Sequence, residues 1–256
     1  MSTFARSRAA RAFSTAALLT ALAGCGSATG TAADESITVF AAASLAAPFT
    51  EIAANFEAAN PHTEVLLNFA GSSDLLTQLS QGAPADVFAA ADEHTMNTAD
   101  ATSLVASATV FASNTLTIVV PAGNPAGVAE FADLAGEDVA TVVCAPQVPC
   151  GAATASLESA TGVALSPVSE ESSVTDVLGK VRSGQADAGI VYETDAAGAG
   201  DSVENIAVPE AATVINRYPI AALAEAANEE AADAFVNFVL SESGQRTLAD
   251  AGFGAP

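Results

Sequence analysis

Short strand-like segments alternate with helical ones along most of this chain, and this alternation limits its fold more than any other feature. The strand-like runs are rich in Val, Ile, Ala and Phe and lie at residues 37–41, 65–69, 87–90, 116–120, 139–143 and 188–192. Apolar residues at helical spacing predict helices between them, as at residues 152–160 and 174–183, and two more near 228–240 and 242–251. Strands that alternate with helices predict an α/β fold with mostly parallel sheets flanked by helices.

The composition suits a globular chain with two lobes. The 256 residues are 50% hydrophobic and 14% charged, which is too apolar for intrinsic disorder. The composition changes around residues 112–114 and again before residue 217. We therefore predict one lobe from residues 34–112 with 217–256 and a second from residues 113–216, joined by two crossovers that form a hinge. A ligand cleft is expected between the lobes, because open α/β sheets bind ligands beyond the carboxyl ends of their strands.

The charge of the chain excludes one class of partner. Seven Lys and Arg residues stand against thirty Asp and Glu residues, which gives a formal net charge of −23. Such a field repels a phosphate backbone, so we expect no nucleic acid partner. The acidic residues are scattered along the chain, and we interpret them as a solvated exterior rather than a recognition surface.

The N-terminus has the pattern of an export signal. Three arginines within the first eleven residues precede an apolar run at residues 16–23 that is too short to span a bilayer. The run ends in Leu-Ala-Gly-Cys25, which resembles the bacterial lipobox. We predict a lipoprotein signal peptide at residues 1–24, a lipid anchor on Cys25, and a flexible tether at residues 25–33. The mature protein is then held on the extracytoplasmic face of the cell membrane; the alternative is an ordinary secretory peptide with an incidental cysteine.

Two further cysteines lie in the exported part of the chain. Cys144 and Cys150 are six residues apart, and an oxidising compartment favours their pairing in a disulfide. The alternatives are two free thiols or a metal site. A metal site is disfavoured because neither a histidine nor another cysteine lies near them in the sequence.

Serines follow the first two predicted strands. Ser44 stands where the first strand runs into a helix, and Ser72 stands at the same kind of junction after the second, preceded by Gly71. A hydroxyl at a helix N-terminus, together with the unsatisfied backbone amides behind it, can donate hydrogen bonds to an anion. The alternative is that both serines are ordinary helix caps.

A second group of candidate donors lies further along the chain. The amides of Cys150 and Val174 open predicted helices, and Tyr192 ends a predicted strand. These groups offer two backbone donors and one hydroxyl donor for the same anion. The alternative for Tyr192 is an ordinary core tyrosine with its hydroxyl at the surface.

Taken together, these segments resemble the periplasmic molybdate-binding proteins of ABC transporters, which are type II periplasmic binding proteins. The similarity runs from about residue 37 to residue 253 and keeps the family's order. It is carried by the junctions at Ser44 and Ser72 and by residues 82–92, 148–151 and 186–196. The resemblance implies a two-lobed protein that closes over a tetrahedral oxyanion and delivers it to an ABC transporter permease.

The resemblance also implies a set of ligand contacts made by neutral donors alone. They are the hydroxyls and amides of Ser44 and Ser72, the amides of Ala91, Cys150 and Val174, and the hydroxyl of Tyr192. Molybdate and tungstate are the implied ligands, with molybdenum bound as an oxyanion and with no cofactor or metal cation. We expect a monomer.

Selectivity follows from this set of donors. Hydrogen phosphate carries a proton that needs an acceptor, and amides and hydroxyls arranged as donors do not provide one, so phosphate should bind poorly. Sulfate has the same charge as molybdate but is smaller. A receptor for sulfate or another small anion on the same fold is the alternative function. A purely adhesive or structural role is a third reading.

An exported enzyme is less well supported. The chain contains no G-x-S-x-G nucleophile motif, and its two histidines, His62 and His94, stand in a turn and near a helix start. We therefore expect a binding protein without catalytic residues.

Overall fold

The computed structural model describes residues 35–256. The predicted signal peptide at 1–24, the predicted lipid anchor Cys25 and the predicted tether at 25–33 lie outside the described residues. Within the described part of the chain, no helix combines the length and apolar character needed to cross a membrane.

The described strands join in one sheet with the order β2-β1-β3-β9-β4-β7-β5-β6, and β8 pairs with β4. Their bounds are β1 Glu35–Ala42, β2 Thr63–Ala70, β3 Val87–Ala89, β4 Thr109–Pro121, β5 Thr141–Cys144, β6 Ser169–Glu171, β7 Ala188–Tyr192, β8 Val203–Ile206 and β9 Ile215–Ala222. All six strands predicted from the sequence are present. The sequence did not predict β6, β8 or β9, nor the first seven residues of β4.

Helices flank this sheet and follow most of its strands. Their bounds are α1 Ala46–Ala59, α2 Ser72–Ser80, α3 Glu93–Ala101, α4 Pro149–Thr161, α5 Val174–Arg182, α6 Glu193–Ala199, α7 Glu229–Leu240 and α8 Glu242–Asp250. The helix α1 shows why these segments fold as they do. Its buried side chains, Phe49, Ile52 and Phe56, recur at helical spacing, and the helix ends where Asn60 precedes a proline.

The strand β4 connects two halves of the sheet. Its residues 109–115 pair with β9, whereas its residues 116–121 pair with β7 and β8. We call β1, β2, β3 and β9 the first half of the sheet, and β5, β6, β7 and β8 the second half. Within each half, β1 and β5 are parallel to their neighbours, and the antiparallel pairs all involve β4 or β9.

The two positions where the composition changes lie inside strands. Residues 112–114 belong to β4, and residue 217 belongs to β9, and these two strands pair antiparallel with Asn114 opposite Asn216. Polar residues such as these two asparagines interrupt the apolar runs, which is why the sequence resembled a boundary there. The assignment of residues 34–112 with 217–256 and 113–216 to two lobes stays a prediction.

An aromatic cluster holds α1, α7 and the start of β4 together. Phe49 packs against Phe111 with ring centroids 5.7 Å apart, and Phe56 packs edge-to-face against Phe235 at 5.3 Å. All four side chains are fully buried, and burial of each contributes about 1.5–3 kcal/mol to the free energy of unfolding. This packing fixes α1, which follows the carboxyl end of β1 beside the candidate site.

Candidate ligand-binding site

The six residues predicted to contact a ligand come together around one small cavity. Ser44, Ser72, Ala91, Cys150, Val174 and Tyr192 all line it, together with Ala42, Ala43, Gly71, Val148 and Pro149. The cavity volume is about 10 Å³, measured as the space open to the centre of a water-sized sphere. This space is far smaller than a typical pocket for an organic ligand and suits one small inorganic ion.

Each candidate donor is placed by a junction between a strand and a helix. Ser44 lies in a short 3-10 turn between β1 and α1, and Ser72 is the first residue of α2. Cys150 and Val174 lie in the first turns of α4 and α5. Because the first backbone amides of a helix have no partner within it, α2, α4 and α5 direct N–H groups toward the cavity.

The hydroxyl of Ser72 is held by the backbone of Ala91. Ser72 is 1% exposed, and its Oγ accepts a hydrogen bond from the Ala91 amide at 3.0 Å. Since a backbone N–H can only donate, the proton of the Ser72 hydroxyl points away from Ala91 and is available to a ligand. The Ala91 amide, predicted as a direct ligand contact, therefore has a partner inside the protein.

The hydroxyl of Tyr192 has a partner that the sequence did not reveal. Asn216, on β9, donates from Nδ2 to Tyr192 Oη at 2.9 Å and to the Ala91 carbonyl oxygen at 3.0 Å. Asn216 is buried. Burial raises the pKa of the Tyr192 hydroxyl well above its ordinary value, so this group stays protonated and can donate. In the sequence Asn216 stands beside another polar residue, Arg217, so nothing marked it as buried at a site, and the strand itself was not predicted.

A second tyrosine, which was not among the predicted ligand contacts, is hydrogen-bonded to Ser44. Tyr218 is fully buried on β9, and its Oη lies 3.1 Å from Ser44 Oγ in a hydrogen bond that either group can donate. Its ring packs edge-to-face against Tyr192, with centroids 5.9 Å apart. The two tyrosines of the chain therefore sit side by side at this site.

Every residue that lines the cavity is uncharged. Two of the cations pair elsewhere, because Lys180 forms an ion pair with Glu171 and Arg246 forms one with Glu242. An acid lies close to the site, since the Asp195 carboxylate accepts the Tyr192 backbone N–H at 3.1 Å. Burial raises the pKa of this carboxyl to about 7.

A disulfide clamps the start of α4 to the end of β5. It joins Cys144 to Cys150, the cavity-lining residue in the first turn of α4. The loop is tightly packed, because a Cβ on Gly151 would lie 2.0 Å from the Ala145 carbonyl oxygen. The Cys150 amide is thus fixed in position by both the crosslink and the packing.

The two halves of the sheet approach each other closely at two places beside the cavity. Gly71, after β2, lies so close to the segment after β6 that a Cβ there would be 2.0 Å from the Ser172 carbonyl oxygen. Nearby, Ser73 Oγ donates to the Gln147 carbonyl oxygen at 2.5 Å. The absence of a side chain at Gly71, which also lines the cavity, lets these two backbone segments approach each other.

Comparison with known proteins gives the family. Residues 37–254 match the model of the bacterial extracellular solute-binding proteins. The chain belongs to this family. It is 51% identical over 222 residues to the molybdate-binding protein ModA of Mycobacterium tuberculosis H37Rv, an alignment that covers 86% of this chain and 85% of the relative. The predicted resemblance to the molybdate-binding proteins is confirmed.

Solved structures agree on the fold. The periplasmic molybdate-binding protein of Azotobacter vinelandii superposes with a TM-score of 0.74 at 20% identity, covering 86% of this chain and 99% of that one. The sulfate-binding protein SubI of M. tuberculosis also superposes with a TM-score of 0.74, at 21% identity and 86% coverage of both chains. The predicted α/β periplasmic-binding-protein fold is confirmed, and this fold alone does not distinguish molybdate from sulfate.

Proposed function

We propose that this chain is the molybdate receptor of an ABC transporter and that it captures molybdate or tungstate in the cavity described above. The observation that carries the proposal is the convergence of neutral donors from five strand–helix junctions on one small, uncharged cavity. The 51% identity to ModA of M. tuberculosis supports molybdate in particular.

The donors can hold a dianion without a positive charge. Hydrogen bonds to a charged group contribute about 1.5–3 kcal/mol each, so about seven of them offset the dehydration of the ligand and of the site. The hydroxyls of Ser44, Ser72 and Tyr192 supply three, and the backbone amides of Ser44, Ser72, Cys150 and Val174 supply four. Ala91 acts by directing the Ser72 hydroxyl rather than by touching the ligand.

The cavity selects by size and by protonation. Its small volume excludes organic anions such as sugar phosphates in this closed arrangement. A ring of donors favours a fully deprotonated oxyanion over hydrogen phosphate, whose proton would face another proton. Sulfate satisfies the charge requirement but is smaller than molybdate, so its hydrogen bonds would be longer and weaker.

The loaded monomer hands its ligand to a membrane permease, and Cys25 carries the lipid that keeps the protein at the extracytoplasmic face of the membrane. No cofactor is needed for this activity, and no catalytic residues are assigned. The family membership supports a permease partner, since its members are extracellular solute-binding proteins.

Thermal unfolding in the presence of four anions tests the proposal. The chain without its signal peptide is heated with molybdate, tungstate, sulfate or phosphate, each at the same millimolar concentration. A ligand at a thousand times its Kd adds about 4.1 kcal/mol to the free energy of unfolding, which raises Tm by roughly 8–16 °C for a chain of this size. A large shift with molybdate and tungstate alone is expected. A larger shift with sulfate would make the chain a sulfate receptor, and no shift with any anion would refute the proposal.

A further inference from the structure

The side chain of Asn216 connects the two halves of the sheet at the cavity. From β9 in the first half, its Nδ2 reaches the carbonyl oxygen of Ala91 at 3.0 Å and the hydroxyl oxygen of Tyr192, in the second half, at 2.9 Å. Asn216 itself does not line the cavity, whereas both of its partners do. Its influence on a ligand must therefore pass through these partners.

The Ala91 carbonyl fixes which way the Asn216 amide faces. A carbonyl oxygen can only accept, so the group facing it must be the NH₂ and not the side-chain oxygen. The second hydrogen of the same nitrogen then goes to Tyr192 Oη. The Tyr192 oxygen is thus an acceptor in this bond, and its own proton has to point away from Asn216.

We propose that Asn216 is a positioning residue that makes the Tyr192 hydroxyl a donor toward the ligand. The inference rests on the proposed function, because it concerns how that site binds an oxyanion. Without Asn216, the Tyr192 hydroxyl can rotate and present a lone pair to the cavity. A ligand that carries a proton, such as hydrogen phosphate, then gains an acceptor that the intact site denies it.

The same residue, Ala91, controls the other buried hydroxyl. Its amide donates to Ser72 Oγ at 3.0 Å, while its carbonyl orients Asn216. One peptide segment after β3 thus sets the polarity of Ser72 directly and of Tyr192 through Asn216. This arrangement accounts for a site in which two hydroxyls from different halves of the sheet both donate.

A double-mutant cycle tests the inference. Calorimetric titrations with molybdate and with inorganic phosphate, at a pH where phosphate is mostly HPO₄²⁻, compare the wild type with Asn216→Ala, Tyr192→Phe and the double variant. Asn216→Ala should weaken molybdate binding about 10-fold. It should also lower the ratio of molybdate affinity to phosphate affinity, because phosphate gains an acceptor. In the Tyr192→Phe background, the same change should alter molybdate affinity by no more than about 2-fold, because the hydroxyl that it orients is gone.

Thr141→Val is the control. Thr141 is fully buried on β5, and its Oγ1 donates to the Leu134 carbonyl oxygen at 3.1 Å, so the change removes a buried hydrogen bond that touches no residue lining the cavity. This variant should lose stability to a similar degree while keeping its selectivity against phosphate. Selectivity is the readout that a merely structural effect would not change.

The outcomes separate the inference from the function on which it rests. Two results in a wild type that binds molybdate would show that Asn216 is not a positioning residue. One is that the losses of molybdate binding free energy in Asn216→Ala and Tyr192→Phe simply add in the double variant. The other is that Asn216→Ala leaves the ratio of molybdate affinity to phosphate affinity unchanged. If Asn216→Ala fails to fold, Asn216→Asp keeps the shape and replaces the donor by an acceptor, and retained molybdate affinity in that variant would equally overturn the inference. If the wild type binds none of the tetrahedral oxyanions, both proposals fall.

Discussion

At the scale of single residues, the site is built from groups whose hydrogen-bond direction is set by neighbours. Ser72 Oγ accepts a hydrogen bond from the Ala91 amide, and Tyr192 Oη accepts one from Asn216 Nδ2, so each hydroxyl can donate its own hydrogen to a ligand. Ser44 was predicted because it stands at a helix start, which is a local signal. Asn216 was not predicted, because its partner Tyr192 is 24 residues away in the sequence.

Removing the Tyr192 hydroxyl should weaken oxyanion binding and leave the fold intact. Tyr192→Phe deletes one donor and little volume, so we expect a loss of about 1–3 kcal/mol in binding free energy, measured by calorimetric titration with molybdate. Thr141→Val is the control, because it also deletes one fully buried hydroxyl, and that hydroxyl donates to the Leu134 carbonyl oxygen and does not line the cavity. Equal losses in the two variants, or no loss in Tyr192→Phe, would remove Tyr192 from the ligand contacts.

The raised pKa of Asp195 predicts a dependence of stability on pH. Its carboxyl has a pKa of about 7 in the folded protein and an ordinary value of 3.8. Between these values the folded state binds more protons than the unfolded state, so this group lowers the free energy of unfolding as pH rises from about 4 to 7. Asp195→Asn should remove that part of the slope, worth up to about 4 kcal/mol. Urea unfolding of both proteins across this range measures it; parallel curves would contradict the assignment.

At the scale of elements, the junction between strand and helix is the repeated unit of the site. These junctions were predictable, because apolar runs, serines and prolines mark them within a few residues of sequence. The pairing of β4 with β9 was not predictable, because it joins residues 109–115 to residues 215–220 and depends on contacts distant in sequence. The candidate site was therefore found through its helix starts, while the strand that supports Tyr192 and Ser44 was missed.

Gly71→Ala should block the approach of the two halves of the sheet. Its Cβ would lie 2.0 Å from the Ser172 carbonyl oxygen, which is backbone and cannot easily move aside. We expect molybdate affinity to fall at least about 10-fold while Tm without ligand changes by only a few degrees. Gly179→Ala in α5 is the control, since nothing lies within 4 Å of a Cβ there. Wild-type affinity in Gly71→Ala would show that this contact is not required for binding.

At the scale of the whole molecule, charge and ligand have the same sign. The formal charge is −23, yet the proposed ligand is a dianion and the cavity is lined by neutral groups. Binding energy must therefore come from local dipoles, while the overall field opposes the approach of the ligand. The excess of acidic residues is visible in the composition alone, whereas the enclosure of the cavity depends on contacts between the halves of the sheet.

The capture rate of molybdate should rise with ionic strength. At 0.1 M salt, the repulsion between the acidic surface and the anion is largely screened beyond about 10 Å, so the association rate constant should increase with salt. If attraction steered the ligand, added salt would decrease this rate constant. Both tyrosines lie at the site and the chain has no tryptophan, so stopped-flow tyrosine fluorescence can follow binding. An association rate that falls with added salt would indicate that positive potential guides the ligand.

Neutral donors at the strand–helix junctions are proposed to hold the tetrahedral oxyanion, and the position of bound molybdenum tests this directly. Crystals grown with molybdate and measured at the molybdenum absorption edge locate the metal without reference to the surrounding density. We expect one anomalous peak in the cavity, with ligand oxygens within about 3.2 Å of the donor atoms of Ser44, Ser72, Cys150, Val174 and Tyr192. A peak bound elsewhere, or held by a lysine or arginine side chain, would contradict it.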